Sequence, residues 1–183
     1  MPPKGTMPDT MRDAILDAAE IRARAGGYHG FSFREIAADV GIKSASVHYH
    51  FPTKADLAHA MVERYRMRAI EMLGMPDEAL SALTRLVQLF RKAAVGNEMC
   101  LCGAIGASSG TLPPEVQASA AQFTVALAEW LRQAPDWRES LPMAPETILA
   151  LLEGALLVSV TAGGPCFFEQ AIIPLQEACC KPA

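Results

Sequence analysis

Apolar residues recur at helical spacing along almost the whole chain, and strict apolar/polar alternation is absent. The pattern predicts helices throughout. Pro and Gly fall between the apolar blocks, where they start and stop helices. A first helix is predicted from about Thr10 to Ala25, with Ile15, Ala18, Ala19 and Ile21 on its buried side. Thr10 and Asp13 have capping-box spacing, and Gly26-Gly27 ends the helix. Two short helices follow, at about 33–40 and 44–50. A fourth begins after Pro52 with Thr53 as N-cap and Asp56 at N3, and runs past Met72, a rod of about 30 Å. Pro76, Pro113-Pro114, Pro145 and Pro165 then mark helix starts, because proline has no amide to lose at the first helical position. Those segments reach about Val95, Gln133, Thr161 and, broken near Pro174, the end of the chain. A short small-residue helix is predicted between Cys100 and Gly110. The expected fold is all-α, with about nine helices.

The stretch Phe31 to Leu57, FSFREIAADVGIKSASVHYHFPTKADL, reads as a helix-turn-helix closing on a third helix. Ala37 is small enough for two helices to cross closely. Gly41 can take the left-handed turn that other residues resist. Val47 supplies the apolar contact of the second helix against the first. Ser32 and Glu35 form an S-x-x-E capping box, and Phe31 and Ile36 occupy the N′ and N4 places of a hydrophobic staple. Ile36, Val40, Ile42, Val47 and Phe51 remain for a mini-core. Such a motif implies binding to duplex DNA.

Residues Gly30 to Leu57 also follow the pattern G-[FY]-x-x-x-x-I-A-x-x-x-G-[VI]…[YH]-[YH]-[HY]-F-x-x-K-x-x-L. In this the chain resembles the TetR family of bacterial repressors. The likeness covers about the first third; the rest is similar only in length and helical grammar. It implies a DNA-binding head (1–52), with a long fourth helix leading into a ligand-binding and dimerisation body (53–183). It further implies a homodimer, a palindromic operator of double-stranded DNA, and release when a small-molecule inducer enters the body. The DNA-contacting positions it implies are Arg34, Lys43, Ser44, Ala45, Ser46, His48, Tyr49, His50 and Lys54. Lys43-Ser44 departs from the Ser-first order of many members, which leaves open which of the two caps the helix. The methyl of Ala45 can sit against a thymine methyl, and Lys43 and Arg34 can donate to guanine or to phosphate. Ser46, Tyr49, His50 and Lys54 suit phosphate oxygens, and His48 suits either.

Composition adjusts this picture. The formal charge of −4 argues by itself against nucleic acid. Residues 1–68, however, hold ten Lys/Arg against eight Asp/Glu, whereas residues 69–183 hold six against twelve. This is a modestly basic head on an acidic body. The first residues, MPPKGTMPDTMRD, lack the apolar core of a secretory signal, and five cysteines in such a chain point to reduced thiols in a cytoplasm. The longest apolar run, Ile148 to Val160, is interrupted by Glu153 and Gly154 and is too short to span a bilayer, so no membrane is expected. Segments 77–95, 114–133 and 146–160 are apolar with few basic residues, which suits a cavity for a neutral or apolar ligand. The last long helices offer Leu152, Leu156, Phe167, Phe168 and Ile172 for a dimer interface of bundled helices, or else for the chain's own core.

Other signals compete. Gly106-Ala107-Ser108-Ser109-Gly110 matches the G-x-S-x-G elbow of hydrolases, so a helical, esterase-like enzyme using Ser108 is an alternative. No strand pattern precedes it and no His follows Ser108, so a non-enzymatic reading is preferred. Cys100 and Cys102 stand at a helix start, where a thiol can sense oxidants or electrophiles, or can simply be a small buried apolar group. Metal binding by Cys100, Cys102, Cys166, Cys179 and Cys180 is weakly signalled by C-x-C alone. No metal or cofactor is expected.

Overall fold

Side chains that satisfy free amide groups decide where the helices of this protein begin. The computed structural model describes residues 10–179. Thr10 accepts from the Asp13 amide and starts α1 (Met11–Gly26). Ser32 does the same for α2 (Phe33–Val40) through Glu35. Thr53 and Asp56 form a complete capping box at α4 (Lys54–Leu73), each side chain accepting from the other's amide. Between them lies α3 (Ser44–His50). The remaining helices are α5 (Ala79–Val95), α6 (Leu101–Gly106), α7 (Pro114–Arg132), α8 (Trp137–Ser140), α9 (Pro145–Ala162), α10 (Cys166–Ala171) and α11 (Ile173–Cys179). Among the described residues there is no strand.

The differences from the sequence expectation are local. Pro76 does not open α5. Glu78 is its N-cap, and the Ala79 amide donates to Asp136 Oδ1, a partner 57 residues away that local pattern cannot reveal. The same aspartate precedes α8, a single turn that the periodicity did not predict. The C-terminal break falls at Ile172, and Pro174 sits in the first turn of α11. Ile21 points outward, 72% exposed, while Leu16 and Ala23 take the inner face of α1.

One continuous apolar core runs from Ile15 and Leu16 through Phe31, Ile36 and Val47 to Met61, Phe123, Leu152 and Phe168. Helix α4 belongs to both ends of it. It packs most extensively against α7, and also against α1, α5 and α6. A charged seam reinforces the joint with α1. Arg64 Nη2 donates to Asp17 Oδ1 at 2.6 Å and Arg64 Nη1 to the Asp13 carbonyl at 3.3 Å, while Arg68 pairs with Glu20. Helix α9, with 18 residues and a mean hydropathy of 1.4, is long and apolar enough to cross a membrane, unlike the shorter run within it. Its Ile148, Leu149, Leu152 and Leu156 are buried against the rest of this chain.

Two substitutions test this local logic. Ile36→Ala should lower unfolding stability by about 3 kcal/mol in urea melts, as expected for a buried aliphatic truncated to a cavity. Gly41 has φ 77°, so Gly41→Ala should cost about 1–2 kcal/mol although nothing crowds its Cβ position.

Candidate nucleic-acid interface and buried thiol cluster

The helix-turn-helix closes through backbone geometry that only its sequence allows. Gly41 adopts the left-handed conformation, and its amide, followed by that of Ile42, returns to Ala38 and Ala37 carbonyls. The turn folds α3 back on α2, with Val47 and Phe51 buried and Val40 and Ile42 packed beside them. Ser32 donates its hydroxyl to Glu35 at 2.7 Å, so only half of the expected capping box forms, and Glu35 also pairs with Arg22 at 3.2 Å.

The outer side of α3 is polar, and the helix carries no acidic residue. Lys43 is the N-cap through its backbone alone: its carbonyl accepts from the Ser46 amide at 2.9 Å. That resolves the Lys-Ser order, with Ser44 in the first helical position. Lys43, Ala45, His48 and Tyr49 are exposed; Ser44, Ser46 and His50 are half-buried. Tyr49 is 85% exposed, unusual for so large a ring, and meets His50 edge-on. His48 packs edge-on against Phe33, and Arg34 lies exposed on α2.

Lys54 is already engaged within the chain. Its Nζ donates to the Phe31 carbonyl at 2.7 Å and lies 4.6 and 4.5 Å from the ring centroids of Tyr28 and Phe31. Burial lowers its pKa, opposed by the charge of Glu35. The ammonium thus clamps the start of α4 to the loop before α2, leaving at most two protons for another acceptor. Sequence reading also missed Arg12. It stands exposed at the start of α1 with its guanidinium 5.0 Å from the Phe51 ring, beside the end of α3. A cation in the first turn of a helix, where the dipole disfavours it, was the available signal.

A second cluster lies around α6. Cys100 and Cys102 are buried, and the Cys102 thiol hydrogen-bonds the Cys100 sulfur. That bond, with the Gly103 amide and Glu153 assisting, pulls the Cys100 thiol below its ordinary pKa against its burial; the same bond and burial push Cys102 up. Glu153 reaches in from α9 and lies over Gly103, where a Cβ would be 2.9 Å from Oε2. Desolvation, then the neighbouring Cys100, pushes its carboxyl up to about 9, so it is a neutral acid at pH 7. Tyr65 of α4 hydrogen-bonds Cys100 from the other side, and burial raises its pKa as well. The sequence marked Glu153 only as an interruption of an apolar run. Among the described residues no group of three or more His, Cys, Asp or Glu is arranged to hold a metal ion. Cys180 and the side chain of Cys179 lie outside the described residues.

Tyr65 also floors a cavity of about 150 Å3 between α1, α4 and α5. Its lining is less apolar than expected. Arg24, Arg68 and Lys92 stand with Glu20 and Glu98 above Ala69, Met72, Leu89 and Ala93. Ser108, the elbow serine, sits at a 3-10 turn and its carbonyl accepts from the Thr111 hydroxyl, while His29 bonds Thr111. The small residues there serve a close approach: a Cβ on Gly27 would come within 2.8 Å of the Ala104 carbonyl oxygen. Leu152, Leu156, Phe168 and Ile172, expected at a dimer interface, are fully buried inside the single chain because α9 and α10 fold onto α5 and α7. Phe167, 54% exposed, stays on the surface with Leu157, Val158 and Ile173.

A family model described as bacterial regulatory proteins, tetR family, matches residues 15–61. HTH-type transcriptional regulator LmrA of Bacillus subtilis (strain 168) is 26% identical over 163 residues, covering 82% of this chain and 87% of that protein. HTH-type transcriptional repressor DrrR1 of Streptomyces coeruleorubidus is 29% identical over 96 residues. That match takes in 50% of this chain but only 36% of DrrR1, so the chain spans about a third of that relative. The crystal structure of a TetR transcriptional regulator from Legionella pneumophila superposes with a TM-score of 0.81 at 26% identity, covering 94% of this chain and 98% of that one.

The neutral Glu153 gives a pH signature. Its folded pKa of about 9 lies above the ordinary 4.5, so the folded state holds a proton that the unfolded state has lost. Stability from this group is therefore lost as pH rises between those values. Thermal melts from pH 5.5 to 8.5 should show Glu153→Gln gaining on wild type by up to about 1.4 kcal/mol per pH unit. Parallel pH profiles would show that the carboxyl is ionised in the folded protein.

Proposed function

Because the chain belongs to the TetR family of bacterial transcriptional regulators, we propose that it is a repressor that grips a palindromic operator as a homodimer and lets go when a small molecule enters its body. The observation that carries this reading is the outer face of α3, polar, free of acid and set on a buried apolar mini-core. A seven-residue helix of this kind fits the major groove, with Lys43, Ser44 and Ala45 of its start at base edges. Ser46, Tyr49, His50 and the remaining protons of Lys54 suit phosphates, with Arg34 and His48 at either, and Arg12 extends the same surface. We place the head at residues 1–52 and the body at 53–183, with α4 carrying the signal between them. Phe167, Leu157, Val158 and Ile173 supply the surface through which two copies join, in place of the buried residues named from sequence. The inducer we propose is small, with an apolar part over Leu89 and Ala93 and a polar or anionic end toward Arg24, Arg68 and Lys92. It acts through its different affinity for the bound and released states.

Titration of labelled promoter DNA followed by anisotropy tests the reading. With four phosphate contacts per subunit, log K against log salt should fall with a slope of about −7. Tyr49→Ala should weaken binding to all sequences without loss of stability, because its ring is exposed. Lys54→Ala should weaken all sequences and shallow the slope, and Ala45→Leu should change sequence preference. No affinity for any duplex at low salt would sink the proposal. Separately, Phe167→Glu should shift the particle from dimer to monomer in light scattering, and an unchanged mass would remove this surface from the interface.

A further inference from the structure

Reading or releasing DNA makes no use of a carboxylic acid placed against two thiols, yet the chain pays desolvation to put them together. Glu153 is the acid in the middle of an apolar helix, half-buried. Its carboxyl lies over Gly103, where a Cβ would come within 2.9 Å of Oε2. Its neighbours are Cys100, whose Cβ borders the same space over Gly103, and Cys102; Tyr65 approaches Cys100 from α4, and Glu20 of α1 lies within electrostatic reach of Cys102. Both thiols are buried at the start of α6 and their residues are two apart, a spacing compatible with the Cα separation of a disulfide.

We propose that Cys100 and Cys102 form a peroxide-reactive dithiol with Glu153 as its proton donor, and that their oxidation weakens DNA binding by displacing α6. The last step rests on the operator-binding reading above.

The unequal protonation of the pair is what the chemistry needs, since a thiolate attacks and a thiol resolves. The Cys100 thiolate attacks one oxygen of hydrogen peroxide or a small hydroperoxide. The S–O bond forms and the O–O bond breaks. The departing oxygen takes the Glu153 proton and leaves as water or alcohol, and Cys100 becomes a sulfenic acid. Sulfur gives up two electrons and the peroxide accepts them. Cys102 then attacks the Cys100 sulfur. The S–S bond forms, the S–O bond breaks, and hydroxide leaves with the Cys102 proton as a second water. Cys100 is 2% and Cys102 5% exposed, so a reagent of two or three heavy atoms is favoured over a bulky electrophile. The cavity floored by Tyr65 is the adjoining space.

Contacts lead from the thiols to the head. Arg24 Nε, near the end of α1, donates to the Met99 carbonyl at 2.7 Å, next to Cys100. Gly27 lies against the Ala104 carbonyl, where a Cβ would come within 2.8 Å of its oxygen, and His29 shares a 2.9 Å hydrogen bond with Thr111. A disulfide across Leu101 reshapes the first turn of α6, and these three attachments carry the change to α1, which packs on α2.

The test treats the reduced, full-length protein with hydrogen peroxide and follows the peptide holding both cysteines by mass, with dimedone present or absent. Wild type should lose two hydrogens from that peptide. Cys102→Ser should stop at a dimedone-trapped sulfenic acid on Cys100, and Cys100→Ser should leave the peptide unoxidised. Glu153→Gln should slow the step at pH 7 by about a hundredfold, within the range of general acid catalysis, with reduced-state DNA affinity unchanged. Oxidised wild type should bind DNA about tenfold more weakly, and dithiothreitol should restore it. The dithiol proposal is overturned if this peptide survives peroxide that oxidises the exposed Cys166, or if Glu153→Gln reacts as fast as wild type. A disulfide that forms with no change in DNA affinity overturns the coupling alone. Reduced protein that binds no DNA overturns the operator reading, while the mass measurements still judge the chemistry.

Discussion

Arg64 is the interaction on which the arrangement turns. Its guanidinium leaves α4, reaches two turns of α1 and meets Asp13 and Asp17, with Glu20 at 3.6 Å and shared with Arg68. Only 16% of its side chain is exposed, so the charge is bound to these carboxylates with little competition from water. Because α4 also carries Lys54 on the Phe31 carbonyl and Tyr65 against Phe123 of α7, one helix fixes three neighbours at once. The first three helices therefore cannot shift against the rest without disturbing ion pairs and apolar contacts together. The proposed passage of a signal from the body to α3 would need that mechanical condition.

How far the sequence revealed this depended on range. Helix starts with a local cap were legible at Ser32 and Thr53, because the donor and the acceptor lie three residues apart. So was the turn at Gly41, whose backbone conformation is nearly a private property of glycine. Features set by distant partners were not. The start of α5 is held by Asp136, and Lys54 is engaged by a carbonyl 23 residues earlier. Apolar spacing places Leu152, Leu156, Phe168 and Ile172 on an inner face but cannot say which chain covers it, and this chain covers them itself.

The candidate sites divide the same way. The polar stretch from Lys43 to His50 was readable because its helix is short and its single inward side chain, Val47, is unambiguous. The carboxyl that completes the thiol cluster comes from 51 to 53 residues further along, and only folding brings Glu153 over Gly103. An acid in the middle of an apolar helix is a costly choice, which makes it a better flag for hidden chemistry than the cysteines themselves.

The length of α3 has a consequence for selectivity. Seven residues rise about 10 Å, the height of roughly three stacked base pairs. Three pairs distinguish only a few dozen sequences, whereas a chromosome offers millions of alternative positions. If α3 reads DNA as proposed, a helix of this size is informationally poor, and discrimination would have to be multiplied, by a repeated half-site or by the stiffness of the bases lying between.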